Sequence, residues 1–202
     1  MKATTKLSAA LCGGTALLLA LTGCGGDSTG KKRDTWSKGV CDQAATQFSR
    51  INEAGTVLSK VPGNADPKTV KAADSQNFQA VSAAFTSLAG IFNAADPAPG
   101  SDGPQYQKNA VAAFTALSGK YADLKKQADA LDTSDRQKFA DGLSSLSAGL
   151  NGTIAQGQQQ LKTLNVGDMG KALAKQPGCQ KISGPSAPSA PSSTASATAS
   201  AS

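Results

Sequence analysis

Apolar residues in this chain recur at alternating steps of four and three in four successive blocks, and nowhere alternate with period two for long enough to propose a strand. At 3.6 residues per turn, that spacing makes one face of a helix. In the first block the face is Ser37, Cys41, Ala44, Phe48, Ile51, Gly55 and Leu58, widened by Trp36, Val40 and Val57. Asp34 or Thr35 can cap its start, and Pro62-Gly63 stops it. The second block opens at Asp66-Pro67, because proline is tolerated in a first turn, and carries Val70, Phe78, Val81, Phe85, Leu88 and Phe92. Three prolines and two glycines between Asp96 and Pro104 then force a loop.

The third block carries Ala110, Phe114, Leu117, Tyr121, Leu124, Ala128 and Leu131 and breaks at Thr133-Ser134. Ser134 to Gln137 has the spacing of a capping box for the fourth, which runs through Phe139, Leu143, Leu146, Leu150, Ile154, Leu161 and Leu164. A short helical piece around Met169 and Leu173 ends at Pro177-Gly178. Short connections favour antiparallel neighbours. The expected class is therefore all-α: a four-helix up-down-up-down bundle over residues 35–180, with a short extra C-terminal helix. Alanine contributes 36 of the 202 residues, so the 39% hydrophobic content overstates the large side chains available, and the core should be thin. Gly55, Gly90, Gly119, Gly142, Gly149, Gly152 and Gly157 fall inside the helical pattern, each costing about 1 kcal/mol relative to alanine. Close helix crossings, or a bias of composition toward Gly and Ala, explain them better than hinges do, and the fourth helix, holding four of them, should be the softest.

The chain begins with Lys2 and Lys6 ahead of an Ala/Leu-rich stretch from Ser8 to Thr22, too short and too interrupted for a transmembrane helix of about 20 residues. It reads as a signal peptide over residues 1–23. Leu21-Thr22-Gly23-Cys24 resembles the lipobox of bacterial lipoproteins, which implies acylation of Cys24 and a mature chain starting there. Two acyl chains suffice for stable anchoring. Residues 24–34 are then expected to be a flexible tether whose Lys31-Lys32-Arg33 lies close to anionic head groups. Cleavage removes two lysines, so side-chain charge falls to 18 − 14 = +4. At the other end, residues 181–202 close on a run of Ser, Ala, Pro, Thr and Gly from Ser183 onward, too poor in apolar side chains to offset ordering, and are expected to be a disordered tail.

With Cys12 lost and Cys24 acylated, Cys41 and Cys179 remain. An even remainder in an exported protein suggests a disulfide. Topology agrees, because an up-down bundle places the start of its first helix and the end of its fourth together. The same topology places the anchor, the 95–104 loop and the tail root at one end, with the loops at 62–66 and 132–134 facing away.

The absence of histidine excludes Ser-His-Asp and Cys-His catalysis and histidine-ligated zinc. The acids are 13 Asp and the single Glu53. Asp129, Asp132 and Asp135 recur at steps of three, but without a bidentate Glu they fit helix capping better than calcium. Asn151-Gly152-Thr153 matches the glycosylation tripeptide, which carries little weight inside a helix. Gln156, Gln158, Gln159 and Gln160 read as a solvated face, and Trp36, Tyr106 and Tyr121 as core periphery. No catalytic residue, cofactor or metal site is expected. Basic residues without interleaved aromatics make nucleic acid a poor partner.

The whole resembles the small, helical, Ala/Gly-rich lipoproteins of high-GC Gram-positive bacteria, with Leu21 to Cys24 as the specific part of the likeness. That resemblance implies placement on the extracytoplasmic face of the cell membrane through Cys24, and no reaction. The expectation is a monomeric, non-enzymatic interaction or structural module that meets an envelope protein. The alternative is a small-molecule or lipid binder with its site between the helices.

Overall fold

A computed structural model describes residues 25–180. The signal peptide and Cys24 expected at one end, and the tail expected over 181–202, lie outside these residues. The described chain is all-α: α1 Gly25–Ser59, α2 Pro67–Ala94, α3 Gly103–Asp129, α4 Arg136–Leu164, α5 Gly167–Ala174 and α6 Pro177–Gln180. α1 packs on α2, α2 on α3 and α3 on α4, while α5 and α6 fold back onto α1.

Local chemistry explains most of the boundaries. The Asp66 carboxylate accepts from the backbone amides of Lys68 and Thr69, satisfying donors that the first turn of α2 leaves free, with Pro67 in that turn. Pro104 also sits inside a helix, in the first turn of α3, rather than in the preceding loop. The cap of α4 is Asp135, not Ser134: its carboxylate accepts from the amides of Gln137 and Lys138. Ser134 instead turns its hydroxyl onto Asp132. Pro177-Gly178 begins the single turn of α6 rather than ending the preceding helix.

The largest departure lies at the beginning. Residues 25–34, expected as a flexible tether, are the first turns of α1. Arg33 supplies the reason, because its guanidinium donates to Asp168 Oδ2 at 2.7 Å and to Asp102 Oδ1 at 3.2 Å. This fastens the helix to α5 and to the residue preceding α3. With a side chain only 18% exposed, Arg33 is engaged within the protein rather than presented to head groups.

The up-down order follows from the contacts at each end. Trp36 Nε1 donates to the Asp96 carbonyl at 2.7 Å, joining the early part of α1 to the end of α2. At the far end Lys71 Nζ donates to the Leu131 carbonyl, and Ser75 Oγ to Asp129. The core follows the predicted faces, and it divides in two. One cluster includes Val40, Phe48, Leu88, Phe92, Phe114 and Met169; the other, toward the 132–134 loop, includes Phe78, Leu124, Phe139, Leu146 and Leu150. Full burial of a side chain such as Leu88 stabilises the fold by roughly 1.5–3 kcal/mol. Val57, assigned to the first buried face, is instead 60% exposed, because it lies one position outside the stripe ending at Leu58.

Three α4 glycines form a groove for α3 and for Leu131 just beyond its end. A Cβ on Gly142 would meet Leu131 Cδ2 at 2.5 Å, one on Gly149 would meet Leu124 Cδ2 at 3.3 Å, and one on Gly157 would meet Leu117 Cδ2 at 3.0 Å. As the leucine numbers fall by seven and seven, the glycine numbers rise by seven and eight, the order of an antiparallel pair. Close crossing is thus the role of these three, whereas Gly90, Gly119 and Gly152 face open space.

Cys41 and Cys179 are bonded, with Cα atoms 5.1 Å apart across 138 residues of sequence. α6 can approach α1 this closely because residue 178 is glycine: a Cβ there would collide with the Cys41 carbonyl.

Candidate functional site

α1 and α4 share no packing comparable to that of the successive long-helix pairs, and the bundle is open between them. A cleft of about 440 Å³ remains, and every helix contributes to it. α1, α2 and α3 supply Phe48, Phe92, Tyr106 and Phe114; α4 supplies Leu161 and Leu164; α5 and α6 supply Leu173, Ala174 and Cys179. Its three polar residues come from one stretch of chain, Gln158, Lys162 and Asn165.

The sequence placed these residues correctly in part. Phe48, Phe92, Phe114 and Leu164 lie on the predicted buried faces and are buried. Periodicity could not show that they would stop short of filling the space. Tyr106, expected at the core periphery, lines the cleft, and burial pushes its phenol up to about 12, so it stays protonated. Gln158 also lines the cleft, and Gln160 turns inward with its Oε1 buried and unpartnered. Gln156, Gln158 and Gln159 are exposed as expected, and Gln160 is the departure from that solvated face.

Other polar groups have structural work. Gln107 Nε2 donates to the carbonyls of Phe92 and Ala95, while its Oε1 accepts from the Ala98 amide, closing the C-terminus of α2. Asp129 accepts from Lys125 and Ser75, and these bonds hold its carboxyl below the usual range. Asp132 is lowered likewise by Ser134. With Asp135 on the α4 cap, the three regularly spaced acids have three separate roles. Among the described residues no three His, Cys, Asp or Glu side chains gather as metal ligands. Thr153, in the glycosylation tripeptide, is buried and donates to the Gly149 carbonyl.

The one acid shifted upward is Asp74, 8% exposed, whose carboxyl burial pushes up to about 6. It does not line the cleft, and no acid does. The cleft therefore offers contact with apolar surface and a few polar edges; it does not offer a carboxylate pair for acid–base chemistry.

Among the described residues, no helix is long and apolar enough to cross a membrane. Neither a family model, nor a curated protein, nor a solved structure matches the chain.

Proposed function

We propose that the chain is a monomeric, non-enzymatic binding module, held on the extracytoplasmic face of the cell membrane by acylated Cys24, which takes a small apolar or lipidic molecule into the cleft beside α4. One observation carries the binding role. An alanine-rich bundle with little spare side-chain volume nonetheless leaves about 440 Å³ lined by aromatic and aliphatic groups, within the range of small-ligand sites. The anchoring rests on Leu21-Thr22-Gly23-Cys24 following an apolar stretch, and the disulfide accords with an oxidising compartment.

Docking of an envelope protein on the loops at 62–66 and 132–134 is the second reading. Exposed Val57, near the first of these loops, favours it.

Native mass spectrometry of the full chain, purified gently from an exported, oxidised source, tests the binding role. Additional mass that leaves on denaturation supports it; a bare chain counts against it and returns the search to cross-linking of protein partners. Cell fractionation of Cys24→Ala tests the anchor: release from the membrane fraction is expected, and full retention would rule the anchor out.

A further inference from the structure

We infer that the cleft selects a single-chain anionic amphiphile, with the chain among the aromatic side chains and the head group at Lys162. This rests on the cleft being a ligand site, and it adds the chemistry of the ligand. The cleft is two-sided. Its apolar lining comes from all six helices, whereas its polar residues, Gln158, Lys162 and Asn165, all lie at the C-terminal end of α4. A molecule matching that distribution is apolar along its length and polar at one end.

Charge decides the sign of the polar end. Lys162 is the only charged residue on the cleft, and no carboxylate opposes it there. Several lysines elsewhere are already committed: Lys38, Lys125 and Lys126 pair with acids, and Lys71 donates to a carbonyl. Lys162 has no hydrogen-bond or ion-pair partner among the described residues, nor have the side chains of Gln158 and Asn165. An ammonium and two amide groups beside an apolar slot recognise a carboxylate or a phosphate by charge-assisted hydrogen bonds. They disfavour a second cation. The volume bounds the other end, since 440 Å³ lies low in the small-ligand range and suits one chain rather than two. A free fatty acid and a lysophospholipid share this chemistry.

Trp36, the only tryptophan, provides a reporter, with its ring 6.1 Å from that of cleft-lining Phe92. The full oxidised chain is titrated, below micelle-forming concentrations, with dodecanoate, lysophosphatidylglycerol, dodecanol and dodecyltrimethylammonium, following Trp36 fluorescence and calorimetric heat. Saturable binding of one or both anions is expected, with dodecanol weaker and the ammonium weakest. Lys162→Gln should weaken the anions by up to about five-fold, the upper limit for a solvent-exposed ion pair, and leave dodecanol unchanged. Lys162→Glu should invert the preference. Tighter lysophosphatidylglycerol assigns a membrane source, and tighter dodecanoate a free acid. Ala174→Trp, at an exposed position on the cleft, should abolish all binding while the protein remains folded by circular dichroism. Equal binding of all four probes, unaffected by Lys162→Gln but lost in Ala174→Trp, would overturn the anionic assignment and leave the cleft a site. Absence of any binding, or binding indifferent to Ala174→Trp, would overturn the cleft itself.

Discussion

Asp74 is a carboxylic acid 8% exposed, with no hydrogen-bond partner among the described residues. Burial favours its neutral form and pushes its carboxyl to about 6, above the unfolded value near 4. The sign follows directly: its contribution to stability is complete below pH 4 and is lost as pH rises through about 6. Asp74→Asn should therefore stabilise the protein at pH 7.5 by about 1–2 kcal/mol, with residual solvent at this 8% exposed side chain screening part of the effect. The gain should shrink to a few tenths of a kcal/mol at about pH 4, and urea denaturation at the two pH values measures it. A gain of equal size at both would mean that titration is not its cause. At this scale the sequence is least informative. Arg33 looked like one of three tether cations, and no sequence signal singled out Gln107. What assigns them is a partner more than sixty residues away for Arg33, and an adjoining helix end for Gln107.

The helices themselves were legible, because a face that recurs every three or four residues has one regular conformation that can bury it. Their ends were less so. Ser134 and Asp135 are both competent caps, and only the path of the chain selects Asp135. The first helix outran its sequence signal because tertiary ion pairs, rather than apolar spacing, hold its early turns. The glycines divide by what faces them. Gly152→Ala should stabilise the protein by about 0.5–1 kcal/mol, since the added methyl meets open space and helix propensity improves. Gly178→Ala should destabilise it, because the methyl would strike the α1 backbone at Cys41. Thermal unfolding of the two variants should shift in opposite directions; a shared direction would show that neighbouring space does not govern these sites.

For the molecule as a whole, the disulfide was legible from counting and topology, while the cleft was not. Its existence depends on α1 and α4 failing to meet, which no periodicity reports. The Cys41–Cys179 bond joins α1 to α6 and forms part of the cleft lining through Cys179. Closing so long a loop is worth about 5 kcal/mol in the chain-entropy picture, and removal of native bonds typically costs roughly 2–5 kcal/mol. Cys41→Ser combined with Cys179→Ser should lower stability by that amount in equilibrium denaturation. Ligand binding should weaken with it, since α5 and α6 would lose their covalent hold on α1. A double variant as stable as the parent would show that packing alone sets the position of α6.

The early turns of α1 change how the protein would stand on a surface. Between Gly25 and Arg33 a helix rises about 12 Å, and Arg33 clamps that segment to two other parts of the bundle. With Cys24 as the proposed point of attachment, the body is carried on a short mast instead of a leash. It would keep one height and one tilt rather than sweep a hemisphere. The cleft's mouth would therefore hold a fixed bearing relative to the membrane, and that bearing would change only if the clamp at Arg33 let go.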